Sequence, residues 1–511
     1  MSPPLTLAER IRSVAALQPD AEAIEQGGAW HTWQEMATSI SQLEEIIGQS
    51  GLGPGTEFGM LLRNRPHHIH AMAAVLASSG TIVTMNARQP AARTEAEIAE
   101  LRLPAVIVDR SDLASPELAT AIGRSGALGI AIDRAELSTF ANPSFDPPAA
   151  TGDGGIAVKM LTSGTTGPPK RIAFGAQSLK DSVLGAARLM AGPSNRRAGE
   201  EPELLLRRGI IANWAPVEHV SGMWRAIEHM TEGRRLCLLE TFEPSEWARV
   251  VKTYGVRMAM LAPTTMRMLL DSEVTPVDLA SLKGVTAGTA PLSVDLEREF
   301  EETFGIPVLP AYGATEFPGN GAGWTLADHE RFGASKIGSV GKARPGVRIR
   351  VVDQSTGEPV PAGGVGLVEI LARTPATPPG EQPDWQRTAD LGWLDEDEFL
   401  WIAGRADSAI IRGGFKILAT DVVRVLEQHG KVKEASVVGL PDERLGAVPV
   451  AAVIPYSMQA APTAGELEAH CRAELAAYMV PAEFRVVEDL PRTSSLKVSM
   501  PAVQDLFVES G

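Results

Sequence analysis

A strand that runs straight into a hydroxyl- and glycine-rich loop constrains this chain more than any other feature. The apolar run Ile156 to Leu161 reads as the strand. The loop is Thr162-Ser163-Gly164-Thr165-Thr166-Gly167-Pro168-Pro169-Lys170. Glycines let a backbone turn tightly and approach a ligand, so that several N–H groups converge on phosphate oxygens. The four hydroxyls add donors. The loop is not a Walker A motif, because Pro169 stands where that pattern requires its second glycine. Pro168 and Pro169 disfavour a helix interior, so an extended turn is predicted to close it. Taken alone, the same composition also suits an ordinary Ser/Thr/Gly turn.

The chain before the loop alternates helical and strand patterns. Thr6-Leu7-Ala8-Glu9 and Thr32-Trp33-Gln34-Glu35 spell helix-start capping boxes, and Gly48 is the expected stop of the second helix. Strands are predicted over 58–62 and 81–83, with a helix over 66–76 between them. This rhythm predicts a mostly parallel sheet covered by helices. His67, His68 and His70 crowd that helix start and are read as a solvated end rather than as metal ligands. The acidic run from Glu297 to Glu302 is likewise read as a solvated helix face.

A net charge of −16 argues against non-specific binding to nucleic acid or anionic membrane. Cys237 and Cys471 make no metal-ligand pattern and suit a reducing cytosol. No apolar run reaches the ~20 residues that a membrane span needs, and the start at Met1-Ser2-Pro3-Pro4 lacks a signal-peptide pattern. A cytoplasmic location is expected, with no nucleic-acid partner and no membrane span.

Leu161 to Lys170 resembles the signature loop of the adenylate-forming superfamily, which includes acyl- and aryl-CoA synthetases, peptide-synthetase adenylation domains and luciferases. Further segments that resemble this family follow in order: 211–223, 285–291, 311–316, 387–393, 404–407, 410–416 and 490–498. The resemblance implies an α/β fold. A large N-terminal domain of helix-covered sheets plus a β-rich subdomain would span 1–404. Residues 405–407 would form a hinge with Asp407 as pivot, and 408–511 a small, mobile α+β C-terminal domain.

The resemblance also implies roles. Thr162, Ser163, Gly164, Thr165, Thr166, Gly167 and Lys170 would grip the ATP phosphates. Gly288, Thr289 and Ala290 would lie beside adenine, on which Tyr312 would stack, with Gly313 and Ala314 adjoining. Thr315 would donate to the α-phosphate, and Glu316 would supply an oxygen to hydrated Mg2+. Asp390 would accept both ribose hydroxyls and Arg405 would pair with phosphate or ribose oxygens. Lys497 would be the catalytic lysine, and Gly413 and Gly414 would line a channel for CoA.

The acid pocket implied comprises His219, Val220, Met223, Ala287, Ala311, Gly313 and Pro318. Amino-acid-activating relatives place an Asp where Val220 stands, so an acid without an α-amino group is expected. His219 borders the carboxylate; attack by an ionised carboxylate needs no base. The chain departs from the family at Ala389, Leu445 and Leu496, which replace a glycine, a tryptophan and a glycine.

The function implied is ATP-dependent activation of an apolar carboxylic acid to an acyl-AMP, with pyrophosphate released, and then transfer to CoA. ATP, Mg2+ and CoA would be required. Transfer to an amine, giving an amide, is the alternative that Leu445 and Leu496 leave open. A non-catalytic nucleotide-binding protein is the remote one.

Overall fold

The computed structural model describes residues 4–134, 136–142, 155–161, 171–190, 203–314, 317–372, 383–406, 409–413, 415–442, 444–493 and 496–508. Seven strands form the first sheet, in the order Leu137–Ala141, Leu128–Ile132, Ala105–Asp109, Glu57–Leu62, Thr81–Asn86, Ile156–Leu161 and Arg171–Gly175. The five inner strands are parallel and the two outermost run antiparallel to their neighbours. Parallel strands covered on both faces must be apolar throughout, and Ala105–Asp109 and Leu128–Ile132 are buried at every position.

A four-stranded sheet, Arg207–Asn213, Arg234–Leu238, Glu22–Gln26 and Ala29–Thr32, shares a core with the first. Helices Leu7–Ala15, Trp33–Ser50, Pro66–Ala77 and Val220–Glu232 contribute to that core. Both predicted capping boxes form, at Thr6 with Glu9 and Thr32 with Glu35. The second helix passes through Gly48 and stops at Gly51, whose φ of 67° is the left-handed turn that ends it.

Two readings of charged runs need correction. His68 and His70 are buried, and His67 is mostly so. His67 and His68 share Asp109, at the end of a strand 41 residues from His68: its Oδ2 is 2.9 Å from His67 Nε2, 3.1 Å from His68 Nε2 and 3.0 Å from Arg65 Nη1. The arginine and two imidazoles occupy that oxygen, and burial drives the His68 pKa down to about 4. In the helix Val294–Phe304, Glu297 is 4% exposed rather than solvated, and burial lifts its carboxyl to about 7.

Met258–Leu261, Gly284–Ala287 and Val308–Ala314 start a third sheet in parallel, which Phe317–Gly323 and Lys342–Ala343 continue antiparallel. A fourth sheet, Arg348–Val352, Gly366–Leu371, Gln386–Leu394 and Leu400–Arg405, is antiparallel throughout. It is the β-rich part that the resemblance implies.

Residues from Ile410 onward form a smaller lobe with its own cores. Phe415–Ile417, Ile410–Arg412, Gly446–Pro455 and Val432–Asp442 make its sheet, with Phe484–Val486 beside Gly446–Pro455. Helices Ala419–Glu427, Ala464–Glu474 and Met500–Val508 cover it, and Thr463 with Glu466 closes a capping box at the second of them. Among the described residues, no helix is long and apolar enough to cross a membrane.

Candidate active site

Parallel strands place their carboxyl ends along one edge, and the loops that leave such an edge are where ligands bind. At that edge Asn64, two residues beyond Glu57–Leu62, is 1% exposed. Its amide nitrogen donates to the carbonyls of Trp214 (3.1 Å), Ala215 (3.1 Å) and Leu239 (2.9 Å). Its oxygen accepts from the Val217 N–H at 3.0 Å. One buried side chain thus ties the ends of three strands together and fixes the segment 214–217.

His219 follows as the N-cap of the helix Val220–Glu232, donating its N–H to the Pro216 carbonyl at 3.0 Å. Gly222 in the first turn is required by close approach, since a Cβ there would lie 2.3 Å from the Pro216 oxygen. Val220 is partly exposed and rests on the first core, whereas Met223 is 2% exposed within that core. Burial, then the charges of Lys497 and Arg88, lower the His219 pKa to about 4. Its imidazole is therefore neutral at neutral pH.

That effect places Lys497, from near the end of the chain, within electrostatic range of His219 in the large lobe. Burial also pushes the Lys497 ammonium below its ordinary pKa. The loop that carries it is held across the lobe boundary. The Leu496 carbonyl accepts from Thr264 Oγ1 at 3.1 Å, at the start of the helix Pro263–Leu270. Arg492 donates to Thr264 Oγ1 (3.0 Å) and pairs with Glu434 (2.7 Å). Lys433 pairs with Asp271 on the same side. Glu427 lies at this junction near Arg267 and Asp295, and burial raises its carboxyl to about 7.

Tyr312 and Asp390 come together from the third and fourth sheets. The phenol donates to Asp390 Oδ2 at 2.5 Å, and burial, then the Asp390 charge, pushes its pKa up. Asp390 and Arg405 are cross-strand partners, with Arg405 Nη1 3.6 Å from Asp390 Oδ1. The Asp390 N–H donates to Thr388 Oγ1 at 3.0 Å. This is an acceptor already oriented on one oxygen by a phenol, with the other facing a guanidinium.

Gly288 and Ala311 lie side by side at adjoining strand ends, where a Cβ on Gly288 would sit 3.4 Å from the Ala311 carbonyl. Ala287 is buried beneath them in the second core. Thr289 has a φ of 73°, and its hydroxyl is buried with no hydrogen-bond partner among the described residues. Ala290 follows, partly buried, and Gly313 and Ala314 continue the strand beside Tyr312. Gly413 is at the tip of a small-lobe hairpin, its N–H donating to the Leu445 carbonyl at 2.7 Å. Thr162 to Lys170, Thr315, Glu316, Asp407 and Gly414 lie outside the described residues, as does the Pro318 side chain.

Asn64, Arg88, Thr264 and Glu427 were not singled out by the sequence. Asn64, Arg88 and Thr264 act through partners far away in the chain, and Glu427 lies near Arg267 and Asp295 of the large lobe, so no local pattern marks them. Arg492 did lie within the quoted C-terminal segment, next to the lysine loop it braces.

The geometry agrees with comparison to known proteins. The family model described as AMP-binding enzyme matches residues 11–380, and the one described as AMP-binding enzyme C-terminal domain matches 424–497. A 2-succinylbenzoate–CoA ligase of Enterococcus faecalis is 31% identical over 359 residues, covering 67% of this chain and 68% of its own. The structure of an O-succinylbenzoate coenzyme A synthetase from Bacillus subtilis, in complex with ATP and magnesium ion, superposes with a TM-score of 0.77 at 24% identity, covering 97% of this chain and 99% of that one. An amide bond synthetase from Marinactinospora thermotolerans superposes with a TM-score of 0.76 at 25% identity, covering 98% and 100%.

Proposed function

The chain belongs to the AMP-binding enzyme family, the adenylate-forming ligases, and on that premise we propose that it activates an apolar carboxylic acid lacking an α-amino group and passes the acyl group to CoA. The carboxylate attacks the α-phosphorus of ATP and pyrophosphate leaves. Negative charge grows on the α-phosphate and the bridging oxygen, so catalysis is positioning and electrostatic stabilisation. The observation that supports this reading best is Lys497: a partly buried small-lobe ammonium whose loop is fastened to Thr264 of the large lobe, within electrostatic range of His219.

On this reading Lys497 stabilises the charge that develops in the first step. Hydroxyls of Thr162 to Thr166 and the Thr315 side chain add donors. Asp390 receives the ribose hydroxyls, held for that purpose by Tyr312 and Arg405, and Tyr312 presents its ring to adenine. His219, neutral down to about pH 4, walls the acid pocket instead of taking a proton. Magnesium accompanies the triphosphate and supplies charge neutralisation when bound, with Glu316 as its protein oxygen. The boundary falls at 404, with 405–407 as the hinge about which the small lobe turns to withdraw Lys497 and present Gly413 and Gly414 to the thiol arm.

Transfer to an amine is the second reading. Leu445 stands where a tryptophan is expected beside CoA, its carbonyl engaged by Gly413, and the likeness to an amide bond synthetase favours the same outcome. A pyrophosphate-release screen over aryl and medium-chain acids, followed by product mass with CoA or with an amine, separates the two. Absence of pyrophosphate release across the whole acid panel would defeat both and leave nucleotide binding alone.

Asp390→Ala is expected to raise KM for ATP about tenfold or more and to leave KM for the acid unchanged, since charge-assisted hydrogen bonds to the ribose are lost. Steady-state kinetics with each substrate varied checks this. An equal rise in both KM values would refute the ribose assignment.

A further inference from the structure

Leu496 immediately precedes Lys497 and has a φ of 61°, a conformation that few non-glycine residues adopt. Such a backbone persists where its surroundings hold it. Here the holding contacts lie across the lobe boundary. The leucine side chain packs on the core of the large lobe that contains Met266 and Leu269. Its carbonyl accepts from Thr264 Oγ1 at 3.1 Å and from Arg492 Nη1 at 3.4 Å. Within the loop, Leu496 N–H donates to the Thr493 carbonyl (2.9 Å) and Thr493 N–H to the Lys497 carbonyl (2.7 Å), so 496 and 497 move as one turn.

We propose that Leu496 is a positioning residue, which seats the Lys497 loop on the helix Pro263–Leu270 and so holds the ammonium at the large lobe. Seating sets the apolar contact and the Thr264 hydrogen bond against a strained backbone. Leaving the seat relieves the strain and gives up the contacts, which makes the loop a two-state element. Withdrawal of the lysine, which transfer to the acceptor must follow, then means unseating this leucine. The inference rests on the adenylate-forming reading given above.

Two variants at this position separate packing from strain. Leu496→Ala keeps the strain and loses the contact; it is expected to slow pyrophosphate formation on the order of tenfold. Transfer from supplied acyl-adenylate should proceed at least as fast as in the native protein. Leu496→Gly, which adopts the positive φ freely, should lose less than the alanine variant. Thr264→Val should act in the same direction, and its combination with Leu496→Ala should cost less than the product of the two. Hydrogen exchange of the amides in 263–270 is expected to quicken on the order of tenfold in Leu496→Ala.

Parallel loss of both half-reactions in Leu496→Ala, or unchanged exchange over 263–270, would overturn the proposal. The exchange measurement needs no turnover. If the native protein released no pyrophosphate with any acid, the enzymatic reading would fail while the exchange result still decided whether Leu496 is a seat.

Discussion

Lys497→Ala is expected to lower the rate of pyrophosphate release by about 100- to 1,000-fold, the usual cost of removing one group that stabilises developing charge in an enclosed site. The reason is where the residue sits. Its ammonium is partly withdrawn from water, and it lies within electrostatic range of His219 because Leu496 and Arg492 fasten its loop to Thr264. An alanine leaves that loop in place, so the loss falls on chemistry rather than on folding. Thiolysis or aminolysis of a supplied acyl-adenylate should be spared, because in the proposed mechanism the lysine serves the first attack and leaves before the second. Single-turnover assays of the two half-reactions check this, and equal loss in both would show that Lys497 is not the first-step group.

Asn64→Asp is expected to destabilise the fold by about 3 kcal/mol or more, measured as the shift in denaturant midpoint at constant slope. The amide nitrogen faces three carbonyl oxygens between 2.9 and 3.1 Å away. A carboxylate there would set negative charge against three acceptors, with only the Val217 N–H in its favour. Protonation would restore a single donor, so the deficit should shrink as the pH falls. Activity lost with it would reflect the drift of 214–217, which leads into His219. A variant within about 0.5 kcal/mol of the native protein would mean that the three strand ends are held by other contacts.

Much of the scaffold could be read from local patterns, because those patterns state local physics. The strand Ile156–Leu161 ends where its apolar run ends. Three capping boxes form where Thr and Glu stand three apart. Lys497, picked out by its motif, does arrive at the large lobe. What escaped reading was set by partners remote in the chain or by backbone atoms, which carry no residue identity. Asn64 sits before Arg65-Pro66 and looks like a helix start, yet its four partners are main-chain atoms more than 140 residues away. His67 and His68 seemed unpaired because Asp109 lies in a later strand. Glu297 belongs to an acidic run, but the turn of the helix that buries Leu296 and Phe300 carries it inward as well.

Glu427 gives the junction of the lobes a chemical sense of direction. Its carboxyl has an ordinary pKa of 4.5 and one of about 7 in this arrangement, where burial outweighs the neighbouring Arg267. Between those values the folded molecule keeps a proton that the unfolded chain has released, so the contribution to stability is whole below 4.5 and is lost as the pH rises through about 7. Mildly acidic solution therefore favours the arrangement that buries this carboxyl, and by neutral pH that preference is spent.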